Sequence, residues 1–213
     1  MSYLQFNGKL IWHNNQLNYM LPSFQDYEGN TYNGVKIGDQ IWSDKNLMTT
    51  YYFDGTAITN ASTNADWSAN TTGAYCWQGN NIANKNPYGA LYNSYAIFNI
   101  KKLIPMGWRI PSTTDFNNLS TFIGGDGDKL KTTGTTYWLH ATGTNIYGFN
   151  LVAGGERDSN GTFSDALKGT SYLWTSTPNS IYYEYQRIST GSGNISISAL
   201  EKKQGAALRF IKN

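Results

Sequence analysis

Residues 103–125, LIPMGWRIPSTTDFNNLSTFIGG, form the stretch from which the rest of the chain can be interpreted. Its first part is bracketed by Pro105 and Pro111, and each proline restricts the residue before it to extended geometry. The large apolar residues of this part, Ile104, Trp108 and Ile110, are far enough apart to be buried together. We therefore predict a short extended segment that is anchored in a hydrophobic core.

The second part of the stretch has the pattern of a capped amphipathic helix. Ser112 or Thr113 can accept hydrogen bonds from the first free amides, and Asp115 is favoured in the positive first turn. Apolar residues then recur at helical spacing, at Phe116, Leu119, Phe122 and Ile123. Because Gly124-Gly125 is a common helix end, we predict a helix over residues 112–123.

Five more segments share with this stretch a resemblance to a known family. They are DYEGNTY (26–32), VKIGDQIW (35–42), GAYCW (73–77), YGALYN (88–93) and WTST (174–177). In this order they resemble the Fibrobacter succinogenes major paralogous domain, from about Asp26 to Asn213. That family is similar to C-type lectin-like folds and is common on bacterial surface proteins. The resemblance implies an α+β fold, a C-type lectin-like domain with two helices and antiparallel sheets.

Length and composition are typical of one domain with an N-terminal extension. The 213 residues suffice for one sizeable core, and aromatic residues make up 15% of the chain against 14% for charged residues. Residues 1–23 precede the resembling region, and their strand-like runs flank turn signals at Asn7-Gly8 and at residues 13–16. We predict a β-hairpin or three-stranded meander over 1–23, an arm for docking or oligomerisation, and the C-type lectin-like domain over 24–213.

A meander of this size buries little by itself, so the arm is expected to pack on something else. Three partners stay open: its own domain as an extra edge hairpin, copies of itself, or a larger assembly. A homo-oligomer, with a trimer as one form, is the corresponding expectation for the whole chain.

Charge and hydropathy exclude two classes of partner. The net charge is +2 with scattered lysines and arginines, which gives no electrostatic footprint for nucleic acid. No stretch approaches the length needed to cross a membrane, so no membrane insertion is expected. The N-terminus has no basic region followed by an apolar run. We therefore expect the chain to stay in the cytoplasm of the cell that makes it, unless a leader has been removed.

Cysteine usage agrees with that expectation. Members of the resembled family usually carry one cysteine before the Pro-x-Gly-Trp motif and another near the C-terminus, which resemble a disulfide pair. Ile104 and Phe210 stand at those positions here, as expected if a hydrophobic contact replaces the bridge. The single cysteine, Cys76, is predicted to be a small buried hydrophobe, and the loss of both half-cystines fits a reducing compartment.

The remaining elements follow from turn signals and periodicity. A hairpin is predicted over residues 31–42 with its turn at Gly38-Asp39, a long surface loop over 54–72, and the first helix over 90–98. Residues 149–155 are predicted to be a buried strand or turn, and residues 157–163 a hairpin turn. An antiparallel sheet is predicted from strands at about 172–177, 181–188, 194–200 and 206–211.

The sequence offers little for catalysis or for a resident metal. His13 and His140 lack metal-ligand spacing, so neither a zinc site nor any other cofactor is predicted. Oxygen ligands for calcium are available from Asp126 and Asp128 with Asp158 or Asn160, but tight turns select the same residues. The C-type lectin-like fold is also similar to that of formylglycine-generating enzymes, whose chemistry needs more than the one cysteine present.

Paired carboxylates are the remaining candidates for enzyme chemistry. Glu156 and Asp158 have the residue types used in glycoside hydrolysis. Since both fall on a predicted turn and nothing places them across a cleft, we predict that they are solvated. We therefore expect a protein that is not an enzyme.

Binding is the preferred function, because loops and exposed strands vary on a fixed core in folds of this kind. Two predicted strands around Gly191-Ser192-Gly193 present tyrosine and arginine, which give large contact area, and serine and asparagine, which give adaptable hydrogen bonds. The predicted ligand-binding residues are Tyr182, Tyr183, Tyr185, Arg187, Asn194 and Ser196. Strand alternation also implies that some of these tyrosines face the core.

These features lead to one hypothesis and one alternative. The hypothesis is a bacteriophage virion protein, a tail fibre, head fibre or decoration component of a phage of Bacteroidetes-like bacteria. It is assembled in the host cytoplasm, contacts other virion proteins through residues 1–23, and binds a host surface glycan or protein. The alternative is a bacterial cell-surface or periplasmic carbohydrate-binding module without its leader.

Overall fold

The structure, a computed structural model, describes residues 12–13, 16–17, 21–100, 102–165 and 167–213. The strands are β1 (Trp12–His13), β2 (Gln16–Leu17), β3 (Ser23–Gln25), β4 (Thr31–Ile37), β5 (Gln40–Ser43), β6 (Thr59–Asn60), β7 (Ala74–Cys76), β8 (Leu91–Tyr92), β9 (Trp108–Arg109), β10 (Thr170–Asn179), β11 (Tyr182–Ser189), β12 (Ile195–Leu200) and β13 (Ile211–Lys212). The α-helices are α1 (Asn64–Ala69), α2 (Lys85–Tyr88), α3 (Ser94–Ile97) and α4 (Thr113–Phe122). The fold is therefore α+β, with mostly antiparallel sheets and few helices.

A five-stranded sheet joins the two ends of the described domain, in the order β3-β4-β5-β13-β9. The predicted hairpin is present as β4 and β5, which face each other from Ile37 and Gln40 to Gly34 and Ser43. Strand β3 already begins at Ser23 and pairs with β4, so this sheet includes the last residue assigned to the N-terminal arm.

The 103–125 stretch has the predicted form. Trp108 and Ile110 are buried, whereas Ile104 is half-buried. Helix α4 begins with a capping box, in which the Ser112 hydroxyl accepts from the Asp115 amide and the Asp115 carboxylate accepts from the Ser112 amide. The helix ends at Phe122, and Gly124 and Gly125, which follow shortly after it, both have positive φ.

Two predictions for the segment between the β4–β5 hairpin and residue 103 are wrong in detail. The described part of the structure has four α-helices, where two were predicted. Residues 91–92 form strand β8, so the first helix predicted over 90–98 is reduced to Ser94–Ile97. The region 54–72, predicted as a surface loop, contains β6 and helix α1. Trp67 is fully buried and draws α1 onto the domain.

A second, three-stranded sheet has the order β10-β11-β12 and supports most of the C-terminal strand predictions. Its strands are antiparallel, as predicted. The strand predicted over 206–211 is not continuous: Ala206 and Ala207 form single bridges, and β13 at Ile211–Lys212 belongs to the five-stranded sheet.

The core contains the positions at which the resemblance implied a disulfide. Phe210 is buried in the largest hydrophobic cluster, and Ile104 packs against that cluster from its edge. Cys76 is a free, fully buried thiol in a smaller cluster, and burial raises its pKa to about 11. The prediction that Cys76 is a buried hydrophobe is confirmed.

In the described part of the chain, three buried cations tie distant loops to the core, which the sequence did not indicate. Arg157, 0% exposed, donates to the carbonyls of Gly161 and Ala61 over 2.7 and 2.5 Å. Arg209 donates to backbone carbonyls at residues 43, 149 and 150. Lys131 donates to carbonyls at residues 189 and 192 and forms an ion pair with Asp128. Each buried charge is thereby hydrogen-bonded, which offsets the cost of removing it from water.

For the N-terminal arm the structure describes one short hairpin. Trp12 faces Leu17 and His13 faces Gln16, so the two strands flank the second of the two predicted turns, whose residues 14–15 lie outside the described residues. The turn predicted at Asn7-Gly8 lies outside the described residues. Within the described part of the chain, no helix is long and apolar enough to span a membrane.

Candidate functional site

The register of the three-stranded sheet aligns polar side chains from its strands on one face. Arg187 of β11 lies directly opposite Tyr172 of β10 on one side and Ser196 of β12 on the other. Directly opposite residues share a face of an antiparallel pair. Arg187 and Ser196 are exposed whereas Tyr172 is buried, so the row is open to solvent at Arg187 and Ser196.

Tyr172 connects this row to the loop before β10. Its hydroxyl donates to the Asp165 carboxylate over 2.5 Å, and its ring centroid lies 5.8 Å from the Arg187 guanidinium. The ring also contacts the ring of Tyr185, with centroids 5.4 Å apart. Burial, together with the neighbouring Asp165, raises the pKa of Tyr172 above its usual range. Tyr172 is therefore a neutral donor that holds Asp165 in place.

Glu156 adds a second carboxylate, of which only one oxygen has a hydrogen-bond partner among the described residues. One oxygen, Oε1, accepts from the Ser164 hydroxyl over 3.1 Å. The other, Oε2, is buried and has no hydrogen-bond partner within the residues the structure describes. The pKa of Glu156 is raised to about 6, mainly by burial, with a contribution from Asp158 and Asp165, while the Ser164 hydroxyl and Arg187 oppose the shift. Such a carboxylate can accept a hydrogen bond from a bound molecule.

The backbone near these carboxylates is held in a specific geometry. The Gly155 amide donates to the Thr170 carbonyl over 2.9 Å, and the Gln78 side chain donates to the Asp165 carbonyl over 2.9 Å. Gly155 has φ +67°, and a Cβ there would lie 2.4 Å from the Asp165 carbonyl oxygen. Only glycine fits this position. We call the set Glu156, Asp165, Tyr172, Arg187 and Ser196 the polar face.

A second surface lies at the opposite end of β11. A cleft of about 410 Å³ is lined by Tyr95, Ile181, Tyr182, Glu201, Lys202 and Lys203. Ile181 is 66% exposed and Tyr182 is 36% exposed. Beside the cleft, Tyr183 stacks on Phe98 with ring centroids 4.1 Å apart. We call these six lining residues the tyrosine cleft.

Both surfaces lie in a region with a recognisable family signature. The sequence model of the Fibrobacter succinogenes major domain matches residues 35–212, which is most of the chain. The chain belongs to this family. Comparisons with curated proteins and with solved structures found no match for this chain.

Every residue of the polar face and of the tyrosine cleft falls inside the Fibrobacter succinogenes major domain. The domain match begins within β4, so β3 and its pairing with β4 extend the folded unit beyond the N-terminal limit of the match. The match also begins later than Asp26, where the resemblance had placed the start.

The structure distributes the six predicted ligand-binding residues over three environments. Arg187 and Ser196 lie together on the polar face, and Asn194 is exposed next to the start of β12. Tyr182 lines the tyrosine cleft, and Tyr183 is half-buried beside it. Tyr185 is 9% exposed and packs in the core, where its ring contacts the ring of Tyr172. They therefore form two separate surfaces and one supporting residue, where the sequence suggested a single surface.

Three residues of the polar face were missed or misjudged from sequence. Glu156 was predicted to be solvated on a turn, which is wrong, because one of its carboxylate oxygens is buried. Asp165 and Tyr172 are not among the site residues predicted from the sequence. Tyr172 lies opposite Arg187 in the predicted antiparallel sheet, and that register was the available signal.

The residues considered for calcium are engaged in turns and ion pairs. Asp126 accepts from the Asp128 amide over 3.1 Å, and the Asp128 carboxylate contacts Lys131 over 2.7 Å. Asp158 and Asn160 accept from the side chain of Thr162 in the predicted hairpin turn. Among the described residues, no group of three or more histidine, cysteine, aspartate or glutamate side chains is arranged to hold a metal ion.

Chemically, the polar face combines acceptors, a donor and an aromatic edge. Glu156 and Asp165 offer carboxylate oxygens, Arg187 offers a planar set of N–H donors, and Ser196 offers a hydroxyl. The rings of Tyr172 and Tyr185, which contact each other, add aromatic surface on the same face of the sheet. The arrangement suits a ligand that both donates and accepts several hydrogen bonds.

Proposed function

We propose that this chain is a non-enzymatic recognition protein. Its domain, of C-type lectin-like fold, would bind a host surface glycan or protein through the polar face. One observation carries the proposal: a buried carboxylate oxygen of Glu156, which has no hydrogen-bond partner among the described residues, lies in the same group as an exposed Arg187. A carboxylate that lacks a donor on one of its oxygens has acceptor capacity left, and a ligand that donates to the half-buried carboxylate uses that capacity.

A glycan is the ligand class that this chemistry favours. Each sugar hydroxyl can donate to a carboxylate such as Glu156 and accept from a guanidinium such as Arg187. The negative charges of Glu156 and Asp165 and the positive charge of Arg187 mean that the surface is not dominated by one sign of charge. The neighbouring Ser196 adds an uncharged hydroxyl. A protein epitope with serine, threonine or asparagine side chains would present similar groups.

The proposed setting is a bacteriophage virion, as a tail fibre, head fibre or decoration protein. Residues 1–23 would dock the domain to other virion proteins or join copies of it. The replacement of the implied disulfide by apolar residues in one cluster supports folding in a reducing cytoplasm. The proposed location is therefore the virion, after assembly in the host cytoplasm.

A second setting is a bacterial cell-surface or periplasmic carbohydrate-binding module. The family resemblance favours it, since such domains are common on bacterial surface proteins, and the same polar face would serve. An antibody against the chain separates the two settings: the virion proposal expects signal in purified phage particles, and the alternative expects it in the envelope fraction of uninfected cells.

Binding to the polar face can be tested with capsular and cell-wall polysaccharides from Bacteroidetes-like bacteria as probes. In calorimetry or on an array, we expect the natural sequence to bind, and Arg187→Ala and Glu156→Gln each to weaken binding about tenfold, on the order of 1.4 kcal/mol. Tyr182→Ala, in the tyrosine cleft, is the matched control and is expected to bind normally. Equal binding by Arg187→Ala and the natural sequence would overturn the assignment of the polar face.

The same titration has an expected pH dependence. The pKa of Glu156 is raised to about 6, so the carboxylate is ionised above that pH and protonated below it. A ligand hydroxyl that donates to Glu156 prefers the ionised form, and binding should therefore weaken as the pH falls from 7 to 5. Glu156→Gln removes the titrating group and should flatten this part of the profile. Mass spectrometry of the same polysaccharides after incubation tests the non-enzymatic assignment, because shortened chains would contradict it.

A further inference from the structure

Strand β12 forms an open edge of the three-stranded sheet. It is the last strand in the order β10-β11-β12 and pairs with β11 from Ile195 to Leu200. In the described part of the chain no strand lies on its other side. Its outward backbone N–H and C=O groups therefore offer a template for another strand.

The other sheet ends in the described structure are short or covered. Strand β3 has three residues and follows Pro22, and β9 has two residues between Pro105 and Pro111. The outer side of β10 is covered by bridges to Gly155 and Ala207. Short length, proline and cover are the usual means of blocking edge-to-edge pairing. None of them protects the six residues of β12.

The composition of this edge also lacks the usual protection. Residues 188–200, ISTGSGNISISAL, contain no charged residue and no proline. Within β12 the serines Ser196 and Ser198 are exposed on one face, and Ile195 and Ile197 are half-buried on the other. An uncharged, alternating strand of this kind meets no repulsion from a strand of the same sequence.

We propose that β12 pairs with β12 of a second copy of this chain, antiparallel and with the two-fold axis at Ile197. In that register Ile197 faces Ile197 of the second copy, and Ser196 faces Ser198 of the second copy. Apolar side chains meet apolar ones and hydroxyls meet hydroxyls, which is why a second copy fits better than an arbitrary strand. The interface is isologous, the commonest form of a closed dimer. Two three-stranded sheets become one sheet of six strands.

The dimer has a consequence for recognition, which rests on the proposed function. A two-fold axis perpendicular to a sheet keeps equivalent faces on the same side. Both copies of the polar face would therefore point in one direction, and a repeating polymer such as a polysaccharide could contact both. Linked sites of this kind gain avidity without new contacts.

The test measures the mass of the full chain by light scattering over a dilution series. We expect a dimer for the natural sequence, and at least a tenfold higher dissociation constant for the double variant Ser196→Lys, Ser198→Lys, which places like charges across the interface. Thr133→Lys, Thr136→Lys is the matched control, because both threonines are exposed in a loop outside the sheet. A monomeric natural sequence, or a dimer that survives in the Ser196→Lys, Ser198→Lys variant, would refute the proposal.

Cysteine cross-linking tests the register independently. The double variant Ser196→Cys, Ser198→Cys should form a covalent dimer on mild oxidation, because each introduced thiol faces the other position in the second copy. Neither single variant should form a covalent dimer under the same oxidation. Efficient cross-linking by Ser198→Cys alone would show that the two-fold axis lies elsewhere and would contradict the stated register. The buried Cys76 does not interfere, since its thiol is 0% exposed. Neither measurement uses a ligand, so a failed dimer leaves the glycan test of Arg187 intact.

Discussion

Asp115 shows how one side chain joins the extended and helical parts of the 103–125 stretch. Its carboxylate accepts from the Ser112 amide and hydroxyl, both over 2.7 Å, and from the Arg109 guanidinium over 2.5 and 2.7 Å. Burial opposes ionisation, but the contacts with Arg109 and Ser112 outweigh it and lower the pKa of Asp115 to about 2. The helix cap and the strand are thereby stabilised by the same charge.

Replacing Asp115 by asparagine should therefore destabilise the fold in a pH-dependent way. The folded pKa lies below the unfolded value of about 3.9, so the stabilisation is present above that pH and is lost as the pH falls toward 2. At pH 7 we expect Asp115→Asn to lower the free energy of unfolding by about 1–2 kcal/mol, after allowance for solvent screening at the partly exposed Arg109. Urea titrations at pH 7 and pH 3 measure the difference.

The exposed Asn118→Asp, on the same helix, is a suitable control for charge change alone. If the free energies of unfolding of Asp115→Asn and of the natural sequence differ by the same amount at both pH values, the carboxylate does not contribute to stability through its charge.

At the scale of elements, helix α1 exists because of one buried side chain. Its six residues include a single apolar anchor, Trp67, which is 0% exposed. The Arg157 guanidinium lies 4.7 Å from the Trp67 ring, and a Cβ on Gly205 would approach that ring within 2.7 Å. Thr63 caps the helix by accepting from the Asp66 amide over 3.0 Å. So short a helix is stabilised by packing more than by propensity.

Truncation of this anchor is expected to be costly. We expect Trp67→Ala to lower the free energy of unfolding by about 3–5 kcal/mol, because a large cavity would form beneath Arg157. Asn64→Ala, on the exposed side of the same helix, should change it by no more than about 0.5 kcal/mol. Chemical denaturation followed by circular dichroism compares the two, and similar stabilities would show that α1 is not anchored through Trp67.

At the scale of the whole molecule, the C-terminal strand closes the domain. Ile211 of β13 lies opposite Trp42 of β5 on one side and Arg109 of β9 on the other. The described hydrophobic clusters draw on residues from Phe24 to Ile211. The domain is thus held by contacts between residues far apart in the chain, and its first strand is β3.

This arrangement predicts where the N-terminal arm can be removed. A chain lacking residues 1–20 should still unfold in one cooperative transition, since β3 and Phe24 are retained. Removal of residues 1–25 should destabilise the domain, because Phe24 stacks on Tyr32 with ring centroids 4.7 Å apart. Calorimetry of both truncations checks the boundary. Loss of cooperative unfolding in the shorter truncation would mean that the arm is part of the domain.

Some features were predictable because their causes lie within a few residues. The N-cap candidates Ser112 and Thr113 with Asp115 in the first turn, the Gly38-Asp39 turn and the alternating strands around residue 191 are local patterns, and each predicted its element. The family could be recognised for the same reason, since its motifs keep their order along the chain. The prediction of a loop over residues 54–72 was wrong because one tryptophan among polar residues carries no periodic signal.

What the sequence determined by itself was therefore the class of fold, the main turns, helix α4 and the burial of Cys76. The tertiary structure alone decided which residues share a surface. The separation of Arg187 from Tyr182, the burial of Arg157 and the burial of one carboxylate oxygen of Glu156 all depend on groups distant in sequence. The physical reason is that helix caps and strand alternation arise from neighbouring residues, whereas burial of a charge depends on every segment that packs around it.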